Sequence, residues 1–255
     1  MISKPVEPEP LQHPDGILPD DEVQVWQVDL AAWEKATGSL FELLDPKEKA
    51  RAERFKFPAP RNQYVISRGL LRRALARYLK IEACAVEFRT TANGKPELAA
   101  RSDLRFNLSH TRGATVFALA HHRQVGIDVE RIRQDTNAME LAERFFSRPE
   151  VEWLRSQPAS EHLPSFLSCW TAKEAYIKAQ GEGLSLPLGS FGVLPMPATA
   201  KLQLKVYADP EESKRWTMWR LDLGPDLCAA LAVEGENCKV RLGQWPLPDM
   251  QDVSH

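Results

Sequence analysis

The chain is poor in the features that would mark several common protein classes. Its 255 residues hold four cysteines, Cys84, Cys169, Cys228 and Cys238, with no CxxC and no paired spacing. That argues against a zinc site or a disulfide framework, and a reducing cytoplasm is the expected compartment. The longest apolar stretch, 114–120 (ATVFALA), is far shorter than the roughly 20 residues a membrane helix needs, so no membrane partner is expected. A basic surplus is also missing: 33 Lys and Arg face 35 Asp and Glu, a net charge of −2, which disfavours nucleic acid as a partner. No G-x-S-x-G elbow occurs, so the Ser109-His110 neighbours lack the setting of an α/β-hydrolase nucleophile. The start, MISKPVEPEPLQHPDG, has one Lys, many prolines and no apolar core, and does not read as a signal peptide.

What is present fits a soluble globular chain, with 43% apolar residues, 27% charged residues and a mean hydropathy of −0.38. Residues 1–22 hold five prolines and six acids, a composition that predicts a disordered tail, and 246–255 read as a second loose end. Between them, residues 23–122 and 123–245 form two halves of similar layout. In the first, 23–30 alternates like a strand. Asp45 caps a helix that starts at Pro46, and 61–80 carries one apolar stripe through Leu70, Leu71, Ala74, Leu75, Tyr78 and Leu79. Strands follow near 86–91, 106–109, 115–120 and 125–130. In the second half, helices are expected near 136–147, 149–156 and 164–180, and strands at 191–194, 201–207, 215–223 and 227–233. Helix runs followed by strand runs predict an α+β fold with mostly antiparallel sheets.

Four short constellations can carry chemistry. In Gly126-Ile127-Asp128-Val129-Glu130 the strand period projects Asp128 and Glu130 from one face, about 7 Å apart. Such a pair suits a hard cation like Mg²⁺; an exposed strand face paired toward Arg131 or Arg133 is the simpler alternative. On the 164–180 helix Glu174 shares a stripe with Leu167, Trp170 and Ile177, where a carboxylate needs a partner; a surface pair with Lys178 is the alternative. Ser109 and His110 end a strand and face opposite ways, which suits donation to phosphate oxygens or a loop cap. Ser147-Arg148-Pro149-Glu150 is a capping-box pattern, and its carboxylate can alternatively take a proton from a hydroxyl. Residues 45–80 carry eleven Lys/Arg against three acids, either a solvated helix face or a site for a polyanion or acidic partner.

Together and in order, "FNLSH", "VGIDVE", "RFFSRPE" and "WTAKEAYIKAQGEGLSLPL" make the chain resemble the surfactin-type 4′-phosphopantetheinyl transferase family, in its two-halved, monomeric form. The resemblance covers about residues 23–245 and is strongest at 93–188. It implies two pseudo-twofold subdomains, each with helices on a mostly antiparallel sheet, and an active site in the cleft between them. It implies transfer of 4′-phosphopantetheine from coenzyme A to a serine of an acidic apo acyl or peptidyl carrier protein, with release of 3′,5′-ADP. By the same resemblance Asp128, Glu130 and Glu174 hold Mg²⁺, Lys178 and His110 bind the diphosphate with Ser109 nearby, and Glu150 matches the candidate general base for the serine proton, directly or through a metal-bound water. Lys173 is given a carrier-docking or structural role. Arg51 and Arg68 match contacts to the 3′-phosphate region, and Gly94-Lys95-Pro96 a loop beside the adenine. One expected basic position is Glu48 here. A non-catalytic module that binds coenzyme A or a carrier, and a Mg²⁺-dependent phosphodiesterase, are the competing readings.

Overall fold

A computed structural model describes residues 9–10, 18–133, 136–181, 183, 186–196 and 199–246. Strand β1 (Glu9–Pro10) precedes β2 (Glu22–Asp29), the helices α1 (Thr37–Glu42), α2 (Pro46–Glu53) and α3 (Pro58–Leu79), and a hairpin of β3 (Phe88–Thr90) and β4 (Pro96–Leu98). Then come β5 (Leu104–Thr111), β6 (Ala114–His121) and β7 (Val125–Arg131). Helices α4 (Ala138–Phe145), α5 (Arg148–Arg155) and α6 (His162–Gln180) lead to β8 (Phe191–Pro195) and β9 (Lys201–Val206). The chain ends through α7 (Pro210–Lys214), β10 (Trp216–Leu221), β11 (Leu227–Glu234) and β12 (Lys239–Gln244). The fold is α+β, as expected.

Two five-stranded sheets result, ordered β1-β12-β2-β6-β5 and β7-β11-β10-β9-β8. The second is antiparallel throughout, whereas β12 runs parallel to both β2 and β1 in the first. This corrects the expected division at 123–245, because β12 leaves the second half to complete the sheet of the first. It also qualifies the expected N-terminal tail. Residues 1–8 and 11–17 lie outside the described residues, but Glu9–Pro10 pair with β12, Leu18 is buried, and Glu22 opens β2. Of the expected C-terminal loose end, only Pro246 is described.

Strand β6 is buried on both faces, which is why 114–120 reads as a continuous apolar run instead of an alternating one. Phe117 and Leu119 face α3, packing with Trp26, Val28, Leu70, Leu71 and Leu75. Val116, Ala118 and Ala120 face the other way and join Val23 and Val25 in a core shared with Val125, Ile127, Val129, Leu231 and Val233 of the second sheet. The two halves are thus welded back to back through apolar side chains. On the outer face of the second sheet, Ala172, Ala175, Tyr176 and Ala179 of α6 cover Phe191, Val193, Met218, Ala230 and Ala232.

Strand β7 decides where the site lies. Its odd positions 125, 127 and 129 enter the shared core, so 126, 128 and 130 face α6. Gly126 permits the crossing: a Cβ there would stand 2.0 Å from the Ala175 carbonyl oxygen and 2.3 Å from the Ala179 nitrogen. With no side chain at 126, the helix sits directly on the strand, and Glu174 and Lys178 come down beside Asp128.

Gly126→Ala is therefore expected to destabilise the protein by about 1–3 kcal/mol, since backbone on both sides must move apart. Urea unfolding measures this, and an unchanged midpoint would contradict the close crossing.

Candidate active site

Asp128 is buried, and its partners come from both halves. Its Oδ1 accepts from Ser109 Oγ of β5 at 2.8 Å and from Lys178 Nζ of α6 at 2.6 Å. Lys178 also donates to Ser109 Oγ at 3.0 Å, closing a triangle. Ser109, expected near the diphosphate, thus serves Asp128 and Lys178, and its side chain is buried. The other oxygen, Asp128 Oδ2, is buried with no hydrogen-bond partner among the described residues. A buried carboxylate oxygen without a donor is costly and calls for a positive partner.

Glu130 and Glu174 flank Asp128, both half-buried. Burial raises the Glu130 carboxyl above the usual range, and the Asp128 charge raises it further, while a hydrogen bond from Thr111 Oγ1 at 3.1 Å opposes the shift. Burial likewise raises Glu174, with Asp128 and then Glu130 adding to it and Lys178 opposing. The three expected carboxylates are close enough to disfavour one another's charge. They do not form a finished cage: among the described residues no group of three His, Cys, Asp or Glu is drawn together as a metal site. Lys178 holds the Oδ1 side of Asp128 instead. The orphaned Oδ2 and the crowded, all-oxygen donor set fit a hard divalent cation such as Mg²⁺.

Two adjoining cavities open beside Glu174 and Lys178, whereas Glu130 lines a separate one with Arg133 and Trp170. One, of about 280 Å³, is lined by Gly94, Lys95, Pro96, Asn107, Glu174 and Lys178 among others. The second, of about 750 Å³, shares Gly94, Pro96 and Leu108 with it and runs past His110, Arg51 and Arg68. Expected residues from both halves thus meet along one cleft. Strand alternation separates His110 from Lys178: His110 is exposed on the outer cavity while Lys178 faces the inner one.

The basic wall is organised by acids. Glu48 closes a capping box with Asp45 at the start of α2. It also receives Arg68 Nη2 at 2.5 Å and Arg72 Nε at 2.7 Å. Arg72, fully buried, adds Asp45 at 3.0 Å and the Val86 carbonyl at 2.7 Å. The Arg68 guanidinium lies over the Phe88 ring at 4.3 Å. Arg68 is therefore a positioned, partly neutralised group, whereas Arg51 is exposed and rests over Tyr64.

Lys95 differs from the expectation of a simple loop contact. Its Nζ donates to the Ala179 carbonyl at 2.8 Å and to Gln124 Oε1 at 3.1 Å, tying the β3–β4 hairpin to the C-terminal end of α6. Burial lowers its pKa to about 8.

Glu150 requires the largest correction. It is completely buried, as is Lys173. Its Oε2 accepts from Ser147 N at 2.9 Å, Ser147 Oγ at 2.6 Å and Lys173 Nζ at 2.9 Å, and its Oε1 from Val193 N at 2.8 Å. Lys173 Nζ further donates to the Leu188 and Phe191 carbonyls at 2.7 and 2.6 Å. With both oxygens engaged and no solvent access, Glu150 is not placed to take a proton directly from an incoming hydroxyl in this geometry. The capping-box alternative is what the fold uses, and Lys173 is structural. Residues that the sequence reading did not single out also belong to the site: Thr111 on Glu130, and Tyr64 and Phe88 on the cleft wall. The FNLSH stretch pointed to the strand of Thr111; nothing local marked the two aromatics.

A family model described as the 4′-phosphopantetheinyl transferase superfamily matches residues 124–232, and one described as 4′-phosphopantetheinyl transferase, N-terminal, matches 24–122. The chain is 37% identical over 226 residues to 4′-phosphopantetheinyl transferase HetI of Nostoc sp., covering 87% of this chain and 92% of that protein. It is 32% identical to a putative 4′-phosphopantetheinyl transferase of Synechocystis sp., slr0495, over 76% of each chain. It is also 31% identical to 4′-phosphopantetheinyl transferase Sfp of Bacillus subtilis, over 59% of this chain and 66% of that one.

Two outcomes are expected. Glu150→Gln or Lys173→Met alone should cost about 3–5 kcal/mol, because each strands a buried charge, while the double variant should recover much of the loss. Denaturant titration of the four proteins checks this, and additive losses would refute it. The second concerns pH. Between about pH 8 and 10.5 the folded Lys95 binds fewer protons than the unfolded one, so stability rises with pH through that window. The wild-type protein should show this rise relative to Lys95→Met; parallel stability curves would refute it.

Proposed function

Because this chain belongs to the 4′-phosphopantetheinyl transferase superfamily, it transfers 4′-phosphopantetheine from coenzyme A to carrier proteins, and we propose that Asp128, Glu130 and Glu174 hold the Mg²⁺ for that step. What supports the reading is the buried Oδ2 of Asp128, unpartnered among the described residues, beside two carboxylates of raised pKa, one of which, Glu174, lines the inner cavity that adjoins the basic cleft. When bound there, Mg²⁺ supplies neutralisation of the charge that develops on the diphosphate.

The chain's own residues do the rest. Asp128 is held in place by Ser109, so its free oxygen is oriented before any ligand arrives. Lys178 supplies positive charge from α6, and His110 offers a ring nitrogen from the outer cavity; we assign both to oxygens of the diphosphate. Arg51 and Arg68 take the 3′-phosphate end, with Arg68 preset by Glu48 and Phe88. The Gly94–Pro96 loop lines both cavities' common edge and sits beside the adenine. The carrier serine oxygen bonds to the β-phosphorus, the bond from that phosphorus to the bridging oxygen breaks, 3′,5′-ADP leaves with the bridging oxygen, and the serine proton passes to water. The basic surface of 45–80 suits an acidic carrier. No helix among the described residues is long and apolar enough to cross a membrane; we propose a monomeric enzyme working in the cytoplasm.

Incubation with coenzyme A, Mg²⁺ and a panel of apo carrier proteins tests this by intact-mass measurement. A phosphopantetheine mass increment on a carrier serine is expected. No increment on any carrier, or release of 3′,5′-ADP without a carrier, would overturn it. Asp128→Ala and Glu174→Ala should lower turnover by about 100-fold or more with circular dichroism unchanged; near-normal turnover would remove the metal assignment.

A further inference from the structure

On β5, Asn107, Ser109 and Thr111 share the face that meets β7. Ser109 serves Asp128, and Thr111 serves Glu130. Asn107 is 5% exposed, and its Oδ1 accepts from the backbone N–H of Ile127 at 2.9 Å. Only the carbonyl end of an amide can accept from an N–H, so this bond fixes which end is Nδ2. Nδ2 has no partner among the described residues, yet it is not one of the sealed partnerless atoms. Asn107 lines the inner cavity together with Glu174 and Lys178. The amide is thus locked at one end by the second half of the protein, with its Nδ2 unpartnered among the described residues at the wall of the inner cavity.

We propose that Asn107 Nδ2 is a ligand-contacting donor that hydrogen-bonds an oxygen of the coenzyme A diphosphate. This rests on the transferase reading above. The chemistry favours an uncharged donor at that spot. Lys178 already shares its charge with Asp128 at 2.6 Å, and any further cation would be drawn to the carboxylates in the same way. A primary amide cannot be neutralised by them, and its orientation is already set by Ile127, so little entropy is lost on binding.

Nuclear magnetic resonance of the ¹⁵N-labelled full chain, with coenzyme A and Mg²⁺ added, tests the proposal. Asn107→Asp keeps an acceptor for Ile127 and lacks the NH₂ signals, which identifies them. In the wild type those signals should shift with coenzyme A and exchange about tenfold more slowly with solvent, as for a donor bonded to a charged oxygen. Asn107→Ala should weaken coenzyme A binding by about tenfold or more, read by calorimetry. An amide serving Ile127 alone would show no ligand-dependent exchange. If coenzyme A shifts the backbone signals of Gly94 and Lys95 but leaves the Asn107 NH₂ unchanged, this inference is overturned while the transferase reading stands. If coenzyme A shifts nothing, both are overturned.

Discussion

A carboxylate taken out of water must find positive or donating partners, and Asp128 finds them on two separate elements of the fold. Ser109 comes from the edge strand of the first sheet and Lys178 from the long helix of the second half. One side-chain oxygen therefore ties both halves together, while the other is left buried and unanswered. Everything functional in the molecule is arranged around that imbalance. The flanking carboxyls of Glu130 and Glu174 are pushed toward their neutral forms by burial and by Asp128. Crowding of this kind disfavours simultaneous ionisation of all three carboxyls.

Helix α6 must be placed with little slack for this to work, and three devices fix it. Gly126 lets it touch β7 backbone to backbone. The fully buried Glu150–Lys173 pair anchors it to α5, and through the Leu188 and Phe191 carbonyls to β8. Lys95 reaches from the first half to the carbonyl of Ala179 near the helix's C-terminal end, where the helix dipole favours positive charge. Lys173 and Glu174 are neighbours in sequence, so the anchor and the site ligand project about 100° apart from one rigid turn. A buried ion pair is a poor source of stability, but its directional demands suit a positioning role.

The basic segment shows the same economy of charge. Eleven Lys and Arg lie in residues 45–80, and the acids Asp45 and Glu48 select which of them stay free. Arg72 is sequestered as a structural post, Arg68 is oriented, and Arg51 remains open to the cleft. Glu48, which departs from the resemblance, is thus the organiser of the wall it interrupts.

Much of this was legible from residue order. The strand period placed Asp128 and Glu130 on one face, the capping box at Ser147 and Glu150 was readable, and the ordered motifs identified the family. These depend on local spacing, which the backbone periods of helix and strand fix directly. The sequence could not tell that Glu150 is sealed by Lys173, since the pair is joined only when α5 packs on α6. Nor could it tell that β12 returns to the first sheet or that Arg68 is spoken for by Glu48. Residue order determined the family, the α+β class and the acidic and basic groups available for chemistry. Tertiary structure decided which of those charges are consumed by one another and which face the cleft, because a charge's role is set by its partners in space, and those lie 19 to 69 residues away along the chain.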